Sequence, residues 1–405
     1  MADSEFVVRV ATAAEHDRFV GLFAAAMMFE SSPDDLDREL FEPERALVVM
    51  DGDEFVGTAK AMSRDLSVPG AVVPAAHVTA VGVRSTHRRQ GILSGLMGRQ
   101  LREVPEALAV LWASESGIYG RFGYAPAAWV VSYEADLHRV KPHPVRGDLG
   151  GVEEIRAEEA LPLLARMLGE LQARRPGVSG RSEQLWRKRL QDQPEHRGGM
   201  TARHVLVHRD GAGIVDGYVL WRGKMGWGPT GPASEVVVEE VVAVEPTAYH
   251  ALWYHLLTLD LAAKLEYGKA AVDEPLQQLV SSPVALGRRV TESLWVRLTD
   301  VPRALAQRRY ATSVDVVIEV TDHLVEANNG RFRLIGDTGH ASCERSESTP
   351  DLSMSVTELA GAYLGARPLA EFAATGRVTE HTPGALSAAT SAFGWPAAPV
   401  SLEIF

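Results

Sequence analysis

The sequence predicts an α/β protein with more than one domain. Stretches in which apolar residues alternate, as in strands, are interleaved with stretches of helical periodicity, and this order is typical of α/β folds. The chain has 405 residues. A chain of this length usually exceeds what a single hydrophobic core can support, so two or three domains are expected. Hydrophobic residues make up 46% of the chain and charged residues 23%, as in ordinary globular proteins.

The N-terminal third predicts a sheet with flanking helices. Asp51-Gly52-Asp53 and Pro69-Gly70 mark two hairpin turns. The predicted elements are a strand at 6–10, helices at 14–28 and 34–40, strands at 47–50, 55–62, 64–68 and 72–83, and a buried strand at 107–113.

The most informative stretch is residues 78–102, VTAVGVRSTHRRQGILSGLMGRQLR. An apolar run passes through the basic turn Arg88-Arg89-Gln90-Gly91 into a helix with one apolar face. A helix N-terminus offers free N–H groups and a positive dipole end to an anion. Glycine lets a phosphate approach the backbone, and arginines can bind it bidentately. The stretch predicts a pyrophosphate-binding turn, with a plain basic linker as the alternative.

Residues 114–124, SESGIYGRFGY, predict a tightly shaped loop directly after a strand because glycines recur within it. A tyrosine hydroxyl can act as general acid or as hydrogen-bond donor to a departing thiolate. Tyr119 and Tyr124 are the candidates, although a wall position is the commoner role of tyrosine.

The middle of the chain predicts a second, degraded copy of the central stretch. Residues 138–151 are rich in Pro, Gly and charge and read as a linker. Beyond them, a strand at 235–244 and a helix at 247–263 repeat the strand–helix unit, which suggests a duplicated domain. The copy lacks the glycine and both arginines of the turn, so we do not expect it to bind a phosphate. A chance similarity is the alternative.

The C-terminal third changes character again, to alternating strands and short helices from about residue 300. The chain ends on Val400-Ser401-Leu402-Glu403-Ile404-Phe405, which predicts an apolar strand. Most termini fray and are polar, so we expect this one to be docked and its carboxylate held. The alternative is that Phe405 only fills a hydrophobic slot.

Composition excludes several functions. The net charge of −12 argues against a general nucleic-acid or membrane-surface binder and suits a cationic substrate. Cys343 is the one cysteine, so no intramolecular disulfide or cysteine-based metal cluster is expected, and the histidine spacings predict no metal site. The basic turn matches neither of the phosphate motifs GxxxxGK[ST] and GxGxxG, and the catalytic motifs GxSxG and HExxH do not occur. Without a signal-peptide pattern or an apolar run of membrane-spanning length, we expect a cytoplasmic protein.

The basic turn resembles the acetyl-coenzyme A loop of the GCN5-related N-acetyltransferases, [Q/R]-x-x-G-x-[G/A], with Leu93 in place of the last small residue. Together, VGVRSTHRRQGIL, ASESGIYGRFGYAPA and the apolar C-terminus ending in Phe405 resemble the Eis (enhanced intracellular survival) family of actinobacterial acetyltransferases. The resemblance implies two tandem acetyltransferase-like domains, a catalytic one at 1–140 and a degenerate one at 150–295. It further implies a sterol-carrier-protein-like domain at 300–405 whose C-terminus reaches the active site.

The same resemblance implies acetyl-coenzyme A as cosubstrate, no metal, and a homohexamer. The general acid would be Tyr124, which would protonate the leaving thiolate, and the general base would be the α-carboxylate of Phe405. The implied coenzyme-binding residues are Val81 and Val83 for the pantetheine arm, Arg88, Arg89, Gly91 and Ile92 for the pyrophosphate, and Ser114 alongside the coenzyme.

The substrate end is predicted less specifically, since the N-terminal helices do not align residue by residue with the family. No tryptophan precedes Trp112, so an aromatic wall that the family can use is missing or replaced. The candidate substrate-binding residues are Phe29, Glu30, Asp34, Asp35 and Glu403.

The leading functional hypothesis is an N-acetyltransferase for polycationic amines such as aminoglycosides, acting at one or several amines. The near alternative is acetylation of a lysine side chain in a protein or peptide by the same chemistry. The alternative from another class is a non-catalytic lipid binder that uses the C-terminal domain, but a binder would have no reason to keep the basic turn.

Overall fold

The structure is a computed structural model that describes residues 6–144, 150–229 and 231–405. The chain divides into two compact units, each assembled from separated stretches. The first unit runs to Ala127 and also contains Leu294–Pro396 and Ile404–Phe405, and the second contains Ala128–Ser293 and Ala397–Glu403. Residues 145–149 of the predicted linker lie outside the described residues. No helix among the residues described is long and apolar enough to cross a membrane.

The N-terminal part follows the predicted order of strand, helix pair, hairpins, helix and strand. Its elements are β1 (Val7–Val10), α1 (His16–Ala26), α2 (Asp35–Glu39), β2 (Ala46–Asp51), β3 (Glu54–Val68), β4 (Ala71–Val83), α3 (Ile92–Glu103), β5 (Leu108–Trp112), α4 (Ser116–Tyr119) and β6 (Ala125–Pro126).

The middle part begins and ends in strands and carries its helices between them. Its elements are β7 (Trp129–Asp136), β8 (Gly151–Ile155), α5 (Ala157–Arg174), α6 (Glu183–Leu190), β9 (His204–Arg209), β10 (Val215–Lys224), β11 (Trp227–Gly228), β12 (Gly231–Pro232), β13 (Ser234–Ala243), α7 (Pro246–Leu257), β14 (Ala262–Ala270) and β15 (Arg289–Glu292).

The C-terminal part contains short strands and short helices. Its elements are β16 (Leu294–Leu298), α8 (Val301–Gln307), β17 (Val314–Thr321), β18 (Gly330–Gly336), β19 (Ala341–Arg345), β20 (Leu352–Ser355), α9 (Val356–Ala362), α10 (Leu369–Ala373), β21 (Val378–Glu380) and α11 (Ala385–Phe393).

The first unit contains two sheets. One has the strand order β1-β2-β3-β4-β5-β16-β6, so a strand from late in the chain lies between two early ones, and the other has the order β19-β18-β17-β20-β21. The strands β3 and β4 form one long hairpin from Val68 and Ala71 outward, and the predicted strands at 55–62 and 64–68 are a single strand. The apolar face of α3 packs on the first sheet through Leu96, Met97 and Leu101, which are buried.

The second unit is built on a sheet of order β15-β7-β14-β13-β10-β9-β8. The strands β13 and β14 are parallel and connected by α7, which repeats the β4–α3–β5 arrangement of the first unit. The predicted helix at 247–263 is too long, because the helix ends at Leu257 and β14 begins at Ala262. Leu261 has a left-handed backbone (φ 67°), which breaks the helix before the strand.

The chain end differs from its prediction as a strand. Residues 396–405 have no regular secondary structure. Val400 and Leu402 are nevertheless buried in a core cluster of the second unit, and the Val400 N–H donates to the Pro176 carbonyl at 2.9 Å. Ser401 between them is buried as well, whereas Ile404 is 66% exposed, so the apolar alternation of the tail reflects neither a strand ladder nor alternate burial. The α/β class of the whole chain is confirmed.

Candidate active site

A cleft of about 580 Å³ opens in the first unit beside β4 and the N-terminus of α3. It brings together all of the predicted coenzyme-binding residues, although they come from three separate segments. The cleft is lined by Val81 and Val83 of β4, by Arg88, Arg89, Gly91 and Ile92 of the turn and helix, and by Ser114 after β5.

One wall of the cleft is a strand edge with free backbone groups. The parallel strands β4 and β5 pair only at Ala76 with Ala109 and at His77 with Val110. Beyond these pairs, β4 continues to Val83 and β5 to Trp112, with no further pairing between them in the described part of the chain. An unpaired strand edge can accept an extended, amide-bearing ligand as an added strand. Ligands in α/β proteins bind at such carboxyl ends of parallel strands.

A bulge in the β3–β4 hairpin shapes this edge. The register shifts between Thr58 and Lys60 of β3, and Ala80 opposite them has a left-handed backbone (φ 51°). The buried Thr58 hydroxyl donates to the Ala80 carbonyl at 2.9 Å and so satisfies one group that the bulge removes from the ladder. The bulge redirects the last residues of β4, Val81 to Val83, along the cleft.

The other wall is the basic turn at the N-terminus of α3. Gly91 is the residue before the helix and has φ 84°, and a Cβ there would meet no atom within 4 Å. Glycine is thus required by the backbone conformation, and the space beside it is open to a ligand. Arg89 also has positive φ, and an Arg88 Nη2 donates to the Ala26 carbonyl at 3.2 Å. The free N–H groups of a 12-residue helix and two guanidinium groups face one cleft, and this arrangement fits a pyrophosphate.

The loop after β5 supplies two tyrosines. Tyr119 lines the cleft, and its ring meets that of Tyr124 edge-on at 6.1 Å between centroids. Tyr124 is fully buried, and its hydroxyl has no hydrogen-bond partner among the residues described. Burial raises the pKa of both phenols above their usual value, so both carry their protons at neutral pH.

The chain terminus meets the same strand from its other face. The Phe405 ring lies 4.7 Å from the His77 ring and 5.9 Å from the Arg64 guanidinium carbon, measured to centroids. Burial, together with the Arg64 charge, lowers the pKa of His77 to about 3, so His77 is neutral at pH 7.

Tyr124 and Phe405 lie on opposite sides of β4. Ala76 and Val78 share a buried cluster with Tyr124, whereas His77 between them contacts Phe405. Successive side chains of a strand point to opposite faces. The two predicted catalytic residues therefore approach the middle of β4, around His77, from opposite faces of the strand.

The predicted substrate-binding residues do not converge in the cleft. Phe29 is exposed and packs edge-on against Phe23 at 5.7 Å, and Glu30 is exposed. The Asp34 carboxylate caps α2 by accepting from the Asp37 N–H at 3.0 Å. Asp35 pairs with Arg38 at 2.9 Å.

Glu403 belongs to the second unit and is not a free charge there. Its carboxylate pairs with Arg181 at 3.0 Å, and the Arg181 side chain is buried and also binds Glu240. From the sequence, Glu403 could lie near the site or face solvent. In the structure it instead forms a partly buried ion pair.

Sequence reasoning missed several residues of the site. His87, Glu115 and Arg121 line the cleft. Arg121 stands inside the glycine-rich loop that drew attention to Tyr124, so its position was a usable signal. His77 and Arg64 sit in a plain alternating hairpin, and nothing in the pattern there indicated a partner for Phe405.

Comparison with known families agrees with the geometry. Residues 7–127 and residues 177–298 match two families that are each described as an acetyltransferase (GNAT) domain. Residues 301–401 match the sterol carrier protein domain. The predicted order of two acetyltransferase-like domains and a sterol-carrier-protein-like domain is confirmed.

Whole-chain relatives extend the agreement. An uncharacterised N-acetyltransferase of Streptomyces avermitilis is 40% identical over 371 residues, 89% of each chain. N-acetyltransferase Eis of Mycobacterium tuberculosis is 32% identical over 357 residues, 84% of each chain. The crystal structure of Eis1 from Mycobacterium abscessus has a TM-score of 0.83 at 34% identity and covers 98% of this chain and 100% of its own. A GCN5-related N-acetyltransferase of Anabaena variabilis has a TM-score of 0.86 at 17% identity and supports the fold alone.

The fold and the cleft define an N-acetyltransferase of the GCN5-related class, and such domains use acetyl-coenzyme A. Within that class, the extent of the similarity to Eis proteins is decisive. The chain belongs to the Eis family.

Proposed function

We propose that this enzyme acetylates amines of polycationic small molecules such as aminoglycosides, at one or more positions. In this proposal Tyr124 is the general acid and the α-carboxylate of Phe405 is the general base. The observation that carries the proposal is the contact of Phe405 with His77, because it brings the chain terminus to the strand that borders the coenzyme cleft. The net charge of −12 favours a cationic substrate.

The coenzyme residues act by binding and orientation. The free edge of β4 would hold the pantetheine arm through the backbone of Val81 and Val83, while Arg88, Arg89, Gly91 and Ile92 would hold the pyrophosphate. Ser114 lines the same cleft and would lie along the coenzyme. Bound there, acetyl-coenzyme A supplies a thioester whose acetyl group the amine accepts.

The Phe405 carboxylate would remove a proton from the substrate ammonium. An ammonium has no lone pair, so a base must remove one proton before the nitrogen can form its bond to the acetyl carbon. An α-carboxylate has an ordinary pKa of about 3.5 and is ionised at neutral pH. It would accept the proton directly or through a water, pass it to solvent, and attract the substrate cation while it is charged.

Tyr124 completes the proton balance. As the C–N bond forms and the C–S bond breaks, the phenol would give its proton to the departing sulfur. The nitrogen loses a second proton when the amide forms. That proton equals the one given to sulfur, so it can reprotonate the tyrosine. Since burial raises the pKa of Tyr124, the residue is protonated before each turnover.

The remaining predictions form part of the same proposal. The catalytic domain would span 1–140, the degenerate domain 150–295 and the sterol-carrier-protein-like domain 300–405, and the chain would assemble as a homohexamer in the cytoplasm. Phe29, Glu30, Asp34, Asp35 and Glu403 remain candidates for substrate contact. The exposed Phe29 and Glu30 are the better ones, because the carboxylates of Asp34, Asp35 and Glu403 already have partners.

The test is coenzyme A release with acetyl-coenzyme A and three acceptors, namely kanamycin, a lysine peptide and a simple diamine, with mass spectrometry of the kanamycin product. We expect turnover with kanamycin and addition of one or more acetyl groups. Release with the lysine peptide alone would favour the protein-acetylating alternative. No release with any amine, despite coenzyme binding, would overturn the aminoglycoside assignment.

Two variants separate the carboxylate of Phe405 from its ring. One glycine added after Phe405 moves the carboxylate away and keeps the ring, whereas Phe405→Ala keeps a terminal carboxylate and removes the ring. We expect the glycine extension to lower kcat by about 100-fold, the scale of a lost general base, and Phe405→Ala to lower it less. Equal activity of the extended and native proteins would contradict the terminal base.

A further inference from the structure

Behind the loop that carries Tyr124 lies a buried arginine. Gly123 has φ 82°, and a Cβ on it would lie 2.8 Å from Arg297 Nε and 2.9 Å from Arg297 Cζ. The guanidinium thus packs directly against the backbone of the residue before Tyr124. Arg297 belongs to β16, which pairs with β6 immediately after Tyr124, so the loop is held on this strand from two sides.

The arginine is fixed by an aspartate of the C-terminal domain. Arg297 Nη2 donates to both carboxylate oxygens of Asp322, at 2.8 and 2.6 Å, and Nη1 donates to the Leu298 carbonyl at 2.8 Å. Asn328 donates a further hydrogen bond to Asp322 at 2.9 Å. Both charged side chains are almost wholly buried, and breaking such a pair leaves a costly uncompensated charge.

One group of this arginine has no partner. Arg297 Nε is buried and makes no hydrogen bond among the described residues, and the Tyr124 hydroxyl is buried and unpartnered as well. A purely structural ion pair would be expected to satisfy its donors. The unsatisfied donor faces the Tyr124 loop, where charge would develop during the reaction.

We infer that the Arg297–Asp322 pair is a positioning device for Tyr124, which fixes its loop and stabilises the phenolate left when it donates a proton. This inference rests on the proposed role of Tyr124 as general acid. It assigns a task in the reaction to the C-terminal domain through Asp322, in addition to any contribution of the chain terminus.

The charges around Tyr124 support a role of Arg297 in stabilising the phenolate. Burial raises the pKa of Tyr124, the Arg297 cation on β16 opposes that rise, and Tyr119 on α4 adds to it. A phenol in an apolar pocket would be a poor acid, because its anion would be unsolvated. A fixed cation nearby offsets part of that penalty, as preorganised charges do in active sites.

The test is a double-mutant cycle in the full chain between Arg297→Met and Tyr124→Phe, read as kcat and as KM for acetyl-coenzyme A. We expect Tyr124→Phe to lower kcat by about 100-fold or more. Arg297→Met should lower kcat by about tenfold, the effect of roughly one pKa unit in the acid, and leave KM within about twofold. In the Tyr124→Phe background, Arg297→Met should change kcat by less than about twofold, since its effect would act through the missing hydroxyl.

Arg308 is the matched control, because it is equally buried in the same unit. Its guanidinium donates to the carbonyls of Tyr363 and Phe393 and touches no residue of the site. Arg308→Met should lower the melting temperature as Arg297→Met does, without a selective fall in kcat. Arg297→Lys, which keeps the charge, should recover most of the lost kcat.

The outcomes are distinct. An unchanged kcat in Tyr124→Phe would overturn the proposed acid and this inference with it. If Tyr124→Phe lowers kcat and Arg297→Met still lowers it a further tenfold in that background, the inference is overturned, while the proposed general acid stands. If Arg297→Met fails to fold, the same cycle with Asp322→Asn decides, since loosening the anchor should lower kcat only when the Tyr124 hydroxyl is present.

Discussion

The two acetyltransferase-like domains contain the same strand–helix unit, but the turn between strand and helix differs between them. In the first, a turn leads from β4 to α3 through the left-handed Gly91 and its two arginines. In the second, only Val244 and Glu245 separate β13 from α7, which begins at Pro246. A carboxylate at that position repels phosphate, and no glycine opens the backbone to it. A turn of a few residues thus distinguishes the proposed coenzyme site from the corresponding turn of the second domain.

The two domains also differ in the space at the carboxyl ends of their parallel strands, which is open in the first domain and filled in the second. The carboxyl ends of β4 and β5 border an open cleft, whereas Val242 of β13 and Ala271 after β14 belong to a closed core cluster. Val400 and Leu402 of the chain's tail complete that cluster. The comparison teaches that both domains have the same fold, while the proposed binding site depends on the turn and on the residues that fill the space between the strands.

The largest effect is expected from the buried ion pair of the second domain. Glu240→Gln removes the fully buried one of the two carboxylates that pair with the buried Arg181, so the free energy of unfolding should fall by about 3–5 kcal/mol. Urea denaturation measures the loss. The matched control is Glu183→Gln, which breaks the exposed pair with Arg187 and should change stability by less than about 0.5 kcal/mol. Equal losses in the two variants would contradict the assignment of Glu240 to a filled core.

The same carboxylate predicts an acid-sensitive second domain. Burial alone would raise the pKa of Glu240, but the Arg181 cation outweighs it and lowers that pKa to about 2. Stability from this group is complete above the unfolded pKa of about 4.3 and is lost as the pH falls toward 2, by roughly 3 kcal/mol. Unfolding followed between pH 6 and pH 2 should show this loss in the native protein and a shallower one in Glu240→Gln. Parallel curves for the two proteins would contradict it.

The first domain should instead lose coenzyme binding when its turn is changed. The double variant Arg88→Ala, Arg89→Ala removes two charge-assisted contacts to phosphate, and KM for acetyl-coenzyme A should rise by about 100-fold. Arg174→Ala in the second domain, whose guanidinium lies 4.0 Å from Glu245, is the control and should leave KM unchanged. Steady-state kinetics decide, and an unaltered KM in the double variant would contradict the phosphate role.

A smaller effect is expected at the glycine that opens the turn. Gly91→Ala meets no neighbouring atom, but its φ of 84° is unfavourable for alanine by about 1–2 kcal/mol. We expect KM for acetyl-coenzyme A to rise by about tenfold. In the second domain, Pro246→Ala should have no effect on KM. If Gly91→Ala binds the coenzyme as the native protein does, the turn tolerates a side chain where the proposed phosphate contact is made.

A cleft brings together the residues of the proposed coenzyme site, to which the sequence pointed because most of them lie close together along the chain. The strand, the basic turn and the helix follow one another between residues 78 and 102, and local patterns report local structure well. The contact of Phe405 with His77 spans most of the chain, so the pattern predicted a docked terminus without its partner. Arg297 lies in β16 and Asp322 directly after β17, and nothing local indicates that they form a pair. The predicted C-terminal strand was wrong, because Val400 and Leu402 are buried in a core cluster by a segment without strand pairing among the described residues.

The most direct test of the difference between the two domains is the stoichiometry of acetyl-coenzyme A binding, measured by isothermal titration calorimetry on the full chain. We predict one site per chain, and no measurable binding at the same concentrations in the Arg88→Ala, Arg89→Ala variant. Two sites per chain, or a site that survives the double substitution, would contradict the assignment of coenzyme binding to the first domain alone.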